Sequence, residues 1–162
     1  MSCPAAEQIK QHFPLYELQG TFHKKDSFDW ILPNIAVGDW TSSYQPFDFI
    51  INLNYPYHPT AEGLIERTVH GNKVIYTVGL SDSEQVDLVQ DLITQVQREW
   101  KKKQKKCILF HCMNGREKST GVMIAFLLRV FTMPLSEILD KILIKRAIRS
   151  PKIWTTGCNK MG

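Results

Sequence analysis

The densest group of reactive side chains in the sequence is the segment HCMNGREKS at residues 111–119. It combines an imidazole (His111), a thiol (Cys112) and a hydroxyl (Ser119) with basic side chains. Its backbone N–H groups can turn inward, and a helix that follows would add positive potential at its first turn, so an anion such as phosphate is the expected guest. The same field favours the thiolate of Cys112, which is the nucleophilic form of cysteine. We therefore predict that residues 112–118, named here the anion loop, hold an anion beside a cysteine nucleophile.

A buried strand and a buried helix are predicted on either side of this loop. Residues 107–110 form a short, continuous apolar run, which is typical of a strand in the middle of a sheet. Residues 119–131 are apolar almost all round, which indicates a central helix. A loop that joins the carboxyl end of a central strand to a helix is where α/β proteins bind ligands.

The remaining elements follow from the spacing of apolar residues. Short apolar runs predict further strands, a three- and four-residue spacing from Val86 to Trp100 predicts an amphipathic helix, and Ser81 and Glu84 offer it a capping box. Strands are predicted at 35–38, 47–53 and 73–78, and 54–72 is mostly loop. One helix is predicted from the capping box at Ser81 into the lysine run, and another at 135–149. Alternating strands and helices predict a single α/β domain with a mainly parallel central sheet flanked by helices.

Composition and length fit one globular domain. The chain has 162 residues, of which 43% are hydrophobic and 22% charged, so it can bury a sizeable core. We assign residues 1–26 to an N-terminal extension of uncertain structure and residues 27–162 to the domain. The beginning of the chain has no apolar signal segment, so we expect a cytoplasmic protein, with a nuclear location left open. Four scattered cysteines match neither a disulfide framework nor a zinc site, and we expect no metal or organic cofactor.

The positive charge is concentrated in one place. The chain carries a formal net charge of +4, and residues 98–106 contain Arg98, Lys101, Lys102, Lys103, Lys105 and Lys106 but only one acid, Glu99. Without this run the chain is nearly neutral, which argues against a chain-wide adaptation to nucleic acid. The run is either a solvated helix end or a surface for an acidic membrane or an acidic partner.

The residues of the anion loop resemble the HCxxGxxR[ST] signature of protein tyrosine and dual-specificity phosphatases. His111, Cys112, Gly115 and Ser119 match it at the right spacing, and residues 30–38 are similar to the opening strand of small dual-specificity phosphatases. The likeness covers most of the chain from about Trp30 to Arg149. It implies a protein tyrosine phosphatase-like fold and cofactor-free hydrolysis of phosphorylated protein, at tyrosine or at serine and threonine, through a phosphocysteine intermediate.

The resemblance also implies roles for individual residues. Cys112 would attack phosphorus, Ser119 would donate a hydrogen bond to the sulfur as it leaves, and His111 would orient the loop. Backbone amides would wrap the phosphate oxygens, so the predicted phosphate-binding residues are His111, Met113, Asn114, Gly115, Arg116, Glu117 and Lys118.

The family also uses an aspartate about thirty residues before the cysteine as the general acid. Asp82, which precedes Cys112 by 30 positions, is the candidate, although it would also favour a helix N-terminus without any catalytic role. Asp87 is the fallback, but it falls inside the predicted helix.

One position departs from the signature, because Lys118 stands where the family has arginine. Lysine keeps the charge but loses the planar fork that grips two phosphate oxygens. The loss of one charged hydrogen bond, worth ~1.5–3 kcal/mol, would slow the reaction roughly 10- to 150-fold. Arg116 either compensates by facing the site or lies in solvent beside Glu117.

Several functional classes are therefore open. The first is a working phosphatase, and the second is a pseudophosphatase that binds phosphorylated partners without hydrolysis. A phosphoinositide or RNA 5′-phosphate substrate is a further alternative, since relatives with basic residues in this loop handle both. A nucleotide-binding Walker loop is disfavoured, because that motif needs glycines where this chain has Cys112 and Glu117.

The predicted loop at 54–72 contains three further candidates for the edge of the site. Tyr55, Tyr57 and His58 either rim the site or simply pack within their loop.

Overall fold

The computed structural model describes residues 28–56, 60–81, 85–104, 106–113, 115 and 117–145. The predicted extension at 1–26 and the candidate site residues Asp82, Asn114 and Arg116 lie outside this part of the chain. The described elements are β1 (Phe28–Leu32), β2 (Ile35–Gly38), β3 (Phe49–Asn52), β4 (Ile65–His70), β5 (Lys73–Val78), α1 (Val86–Lys102), β6 (Ile108–His111), α2 (Lys118–Val130) and α3 (Leu135–Leu143).

Six strands form one sheet in the order β1-β2-β6-β3-β5-β4. The four inner strands run parallel, and β1 and β4 pair antiparallel at the two edges. The prediction of an α/β domain with a mainly parallel sheet flanked by helices is confirmed. The strand that leads into the anion loop, β6, lies between β2 and β3, as its continuous apolar run predicted.

The helices cover the sheet with the faces that the apolar spacing predicted. On α1 the buried residues are Val89, Leu92, Ile93, Val96 and Trp100. On α2 the helix is buried from Ser119 to Leu127, and Phe126 packs against Trp100 and against Phe110 of β6, each with a ring centroid distance of 5.5 Å. This packing fixes α2, and therefore the end of the anion loop, against the central strand.

The prediction that residues 54–72 are mostly loop is wrong in part, because β4 occupies Ile65–His70. All of its residues after Ile65 are exposed, since β4 is an edge strand whose outer side faces solvent. It therefore lacks the alternation of buried and exposed residues by which a strand is recognised in a sequence. Its antiparallel pairing with β5 runs from Ile65 opposite Val78 to His70 opposite Lys73.

The predicted capping box at Ser81 is also wrong. The helix α1 begins at Val86 after the N-cap residue Gln85, and no side chain caps it. The side chain of Gln85 instead turns back and accepts the backbone N–H of Ser81 at 2.8 Å. The predicted bounds of β2 and β5 match the structure, and those of β3, β6 and α2 differ by one or two residues. The helix α3 ends at Leu143, before its predicted end, and residues 146–149 of that prediction lie outside the described residues. No helix in the described ranges has the length and apolar character needed to cross a membrane.

Candidate active site

The end of β6 is held from both sides by its parallel neighbours. The backbone N–H of Leu53, just after β3, donates to the carbonyl of His111 at 2.8 Å, and the N–H of Cys112 donates to the carbonyl of Gly38 in β2 at 3.3 Å. These bonds bring Cys112 to the carboxyl edge of the sheet, at the start of the anion loop. This is the edge at which parallel α/β sheets bind ligands.

Three donors or acceptors converge on the sulfur of Cys112, a residue that is only 5% exposed. The backbone N–H of Gly115 lies 3.3 Å from the sulfur, the N–H of Ser119 lies 3.4 Å away, and the hydroxyl of Ser119 lies 3.2 Å away. Hydrogen bonds from such groups are strongest when the acceptor is charged. The arrangement therefore suits a sulfur that carries negative charge during a reaction.

Gly115 takes a backbone conformation that gives the loop its tight turn. Its φ is +66°, in the left-handed region where a side chain would clash with the backbone. This conformation turns its N–H toward the sulfur of Cys112. The glycine of the predicted signature is therefore required by the geometry of the loop.

Ser119 is completely buried and connects Cys112 to β2. The thiol of Cys112 donates to the Ser119 hydroxyl, which in turn donates to the carbonyl of Gly38 at 3.4 Å. When the sulfur loses its proton, the same hydroxyl can rotate its hydrogen toward the sulfur. Ser119 is thus placed to stabilise an anionic sulfur, whereas Gly38 is a contact that the sequence did not reveal.

His111 is 2% exposed and lies beneath the loop, where its Nε2 is 2.6 Å from the hydroxyl of Tyr44. Burial raises the pKa of Tyr44 to about 12, so the phenol keeps its proton at neutral pH and can donate to the imidazole. The two rings lie 5.2 Å apart. Tyr44 therefore positions His111, and no feature of the sequence pointed to it, because it lies 67 residues away.

Lys118 reaches the loop that follows β3. Its Nζ donates to the backbone carbonyl of Tyr55 at 3.1 Å and lies 5.9 Å from the centre of the Tyr55 ring. The half-buried ammonium is thus engaged with a neutral carbonyl at the edge of the anion loop. Tyr55 was predicted either to rim the site or to pack within its loop. Its carbonyl contacts Lys118, so its backbone lies beside the site.

A turn after β2 lies against the anion loop on the other side. The N–H of Trp40 donates to the carbonyl of Met113 at 3.3 Å, and the Asp39 carboxylate accepts the N–H and the hydroxyl of Thr41 at 2.8 and 2.7 Å. The turn is ordered by these bonds, yet the Trp40 side chain is 62% exposed. An aromatic surface therefore lies beside Met113, the residue that follows Cys112, and no pattern in the sequence indicated it.

The segments on both sides of the predicted acid are tightly held. A Cβ on Gly79 would lie 2.0 Å from the carbonyl oxygen of Ala61, so only glycine fits at that point. The Ser81 hydroxyl donates to the Glu62 carboxylate, and the Ser81 N–H donates to Gln85. Asp82 itself lies outside the described residues. The fallback, Asp87, is an exposed residue in the first turn of α1.

The structure thus brings together Cys112, Gly115 and Ser119 around the sulfur, with His111 directly beneath them. Glu117 is the N-cap residue of α2, and its carbonyl accepts the N–H of Gly121 at 2.8 Å. Asn114 and Arg116 lie outside the described residues. Among the described loop residues, two backbone N–H groups and one hydroxyl therefore face the sulfur of Cys112.

Comparisons with known proteins point to one fold. A family model described as the Rit1 DUSP-like domain, with the label Init_tRNA_PT, matches residues 82–153. No curated protein sequence matches the chain. A mouse putative dual specificity phosphatase of known structure is 15% identical, with 76% of this chain and 78% of that chain covered and a TM-score of 0.56.

Two further solved structures are similar. The human tyrosine phosphatase-like serine/threonine/tyrosine-interacting protein is 14% identical, with 71% of this chain and 81% of that chain covered and a TM-score of 0.55. Tk-PTP in the active form is 18% identical, with 74% and 84% covered and a TM-score of 0.53. At these identities the likeness is one of fold. The chain therefore has the fold of the dual-specificity and tyrosine phosphatases.

Proposed function

We propose that this protein is a cysteine-dependent phosphomonoester hydrolase that acts on phosphorylated protein, at tyrosine or at serine and threonine. The observation that carries the proposal is the set of contacts at the sulfur of Cys112. Two backbone N–H groups and the Ser119 hydroxyl lie within 3.2–3.4 Å of it, at the carboxyl end of a central strand. A structural cysteine in the core needs no such donors.

The first chemical step is attack of the Cys112 thiolate on phosphorus. The S–P bond forms, the P–O bond to the substrate breaks, and the departing oxygen takes a proton from Asp82, the proposed general acid. Backbone N–H groups of the anion loop stabilise the charge on the phosphoryl oxygens, and Lys118 adds a positive charge.

The second step is hydrolysis of the phosphocysteine. Water attacks phosphorus, its proton passes to the Asp82 carboxylate, and the sulfur leaves as a thiolate. The Ser119 hydroxyl, 3.2 Å from the sulfur, stabilises that thiolate by donating to it. Inorganic phosphate then dissociates and the enzyme returns to its starting state, so the cycle consumes no cofactor.

The proposal is tested with an aryl phosphate and the purified protein, beside Cys112→Ser. We expect turnover by the native protein and none by the variant, and acid quenching with radiolabelled substrate should trap label on the native protein only. Turnover that persists in Cys112→Ser, or that leaves no label on Cys112 under single-turnover conditions, would contradict the mechanism.

A pseudophosphatase that binds phosphorylated partners without hydrolysis is the second candidate. It is favoured by one observation, namely that Lys118 replaces the forked arginine of the signature and donates to the Tyr55 carbonyl. In that case native protein and Cys112→Ser would be equally inert, but both would bind a phosphopeptide more tightly than its unphosphorylated counterpart.

An RNA 5′-phosphate substrate is a minor alternative, which the label Init_tRNA_PT of the matching family model brings into consideration. It is compared directly by offering a 5′-phosphorylated oligoribonucleotide, a phosphoinositide and phosphopeptides at equal concentration. The substrate that is hydrolysed with the largest kcat/KM identifies the substrate class of the enzyme.

A further inference from the structure

A cluster of basic side chains occupies one end of the domain, remote from the anion loop. Five of its members are described and all are exposed; we name them the basic end, and they are Arg98, Lys101, Lys102, Lys103 and Lys106. Within the described ranges, no carboxylate forms an ion pair with any of them. The charge of Glu99 acts on Lys103 and offsets part of this potential, but the five cations exceed that single carboxylate and the basic end stays positive.

Two acids beside the basic end are engaged within the fold. Glu99 accepts hydrogen bonds from Arg67 and from the hydroxyl of Tyr76, and the Arg67 hydrogen bond is the main reason that the pKa of Glu99 is lowered. Asp48 accepts the backbone N–H of Cys107 at 3.2 Å. These carboxylates serve the fold, so the lysines remain available to an external anion.

The basic end is anchored to the core. The buried indole of Trp100 donates to the carbonyl of Lys106 at 2.7 Å, which fixes the turn between α1 and β6. The backbone N–H of Lys103 donates to the backbone carbonyl of Glu99 at 3.1 Å, and the Nζ of Lys103 lies 5.7 Å from the centre of the Phe49 ring. Because the backbone beneath the charges is fixed, a bound polyanion would order little more than the lysine side chains themselves.

The basic end and the anion loop lie at opposite ends of the parallel strands. Lys106 precedes the amino end of β6, and Cys112 follows its carboxyl end at His111. Six residues of extended chain separate the two, which corresponds to about 20 Å at ~3.3 Å per residue. The surface is therefore distinct from the proposed catalytic site.

We infer that the basic end docks the domain on an anionic lipid surface. Four of its five described cations are lysines, whose compact, hydrated charges suit the diffuse negative potential of a bilayer. Recognition of single-stranded RNA relies on stacking with aromatic rings. The exposed large apolar residues in the described ranges are Trp40, Leu64, Val69 and Ile144, and the single aromatic among them, Trp40, adjoins the anion loop instead.

Docking in this orientation has a consequence for substrate access. With the basic end against lipid, the anion loop faces the aqueous phase, so a phosphate group carried by a soluble partner can reach it. A phosphate group in the plane of the same bilayer cannot. The inference concerns binding alone, so it stands or falls independently of turnover at Cys112.

The test measures binding of the full chain to vesicles of neutral phosphatidylcholine and to vesicles with about one third phosphatidylserine. We expect binding to the anionic vesicles only, and a decrease with added salt. In Lys101→Gln/Lys102→Gln, binding should weaken about 30-fold, at roughly fivefold for each basic residue. The matched control Lys141→Gln/Lys145→Gln, which removes the same charge from α3 and the turn after it, should bind like the native protein.

Orientation is read from Trp40, which is exposed beside the anion loop. The fluorescence that is lost in Trp40→Phe should stay accessible to a water-soluble quencher when vesicles are bound. Equal binding to neutral vesicles, equal losses in the two double variants, or shielding of Trp40 by the vesicles would each overturn the inference. RNA binding would also overturn the inference under two conditions. The native protein would have to bind an RNA duplex more tightly than anionic vesicles at the same ionic strength, and the Lys101→Gln/Lys102→Gln variant would have to lose that RNA binding.

Discussion

Replacement of Lys118 by arginine tests the most unusual feature of the site. One of the three N–H donors of the ammonium is directed at the Tyr55 carbonyl, 3.1 Å away. A guanidinium carries five donors in a rigid fork, so it can keep a contact of this kind and still present two parallel N–H groups to a phosphate. In Lys118→Arg the loop therefore gains a phosphate contact that lysine cannot make.

The expected gain follows from that one contact. A hydrogen bond to a charged group is worth ~1.5–3 kcal/mol, which corresponds to a roughly 10- to 150-fold rise in kcat/KM. If the fork closes mainly in the transition state, the rise appears in kcat; if it also grips the ground state, KM falls as well. Lys118→Met, which removes the charge but keeps an unbranched side chain, should lower kcat/KM below the native value.

The assay is hydrolysis of an aryl phosphate by the native protein, Lys118→Arg, Lys118→Met and Cys112→Ser at matched concentration. Thermal unfolding of each variant checks that the fold is retained. If folded Lys118→Arg is no faster than the native protein and folded Lys118→Met is no slower, the side chain does not bind the transferred phosphoryl group. Lys118 would then act only through contacts within the protein, such as that with Tyr55, and the reasoning above would be refuted.

Three further variants probe the supports of the site and of the fold. Ser119→Ala should keep the first turnover but slow phosphocysteine hydrolysis about 10- to 150-fold, seen as a burst of aryl alcohol; equal loss in both phases would argue against its role with the leaving sulfur. Tyr44→Phe removes the hydrogen bond to His111 and should lower the free energy of unfolding by ~0.5–1.5 kcal/mol. Burial raises the pKa of Tyr44 from 10.0 to about 12, so its protonated form stabilises the fold below pH 10 and this contribution is lost as the pH rises toward 12. The free energy of unfolding of Tyr44→Phe, measured with denaturant, should therefore depend less on pH between 10 and 12 than that of the native protein. For Glu99 the sign is opposite: Arg67 lowers its pKa below 4.5, so its contribution is present above pH 4.5 and is lost at lower pH, and Glu99→Gln should show a flatter acid unfolding profile.

The parts of the fold that could be predicted are those that bury a regular pattern. The strand β6 and the helix α2 have nearly all their side chains in the core, and their apolar runs marked them within one residue at each end. The strand β4 was not predicted, because an edge strand with exposed residues on both faces shows no period of two. The start of α1 was misplaced for a related reason, since Gln85 bonds to the chain before the helix instead of following the usual capping pattern.

In the candidate site, too, some residues could be predicted from the sequence and others could not. Residues 111–119 are neighbours in sequence, so the grouping of Cys112, Gly115 and Ser119 could be predicted from the sequence. Gly38, Tyr44 and Tyr55 reach the site only because β2 and β3 flank β6, and strand order in a parallel sheet is set by packing between distant segments. Gly38 and Tyr55 accept hydrogen bonds through backbone carbonyls, which any residue type would provide.

The described residues of the anion loop are held by contacts with neighbouring segments. On one side Trp40 bonds to Met113, on the other Lys118 bonds to Tyr55, and beneath them the donors on the Cys112 sulfur are already in place. Donors that are positioned before the substrate arrives need no reorganisation as charge develops, which is the main source of electrostatic catalysis. Loss of one flanking contact should therefore reduce the rate by loosening the loop while the nucleophile stays intact. A graded loss of activity across these flanking positions, with a complete loss only at Cys112, is the pattern that a preorganised loop requires.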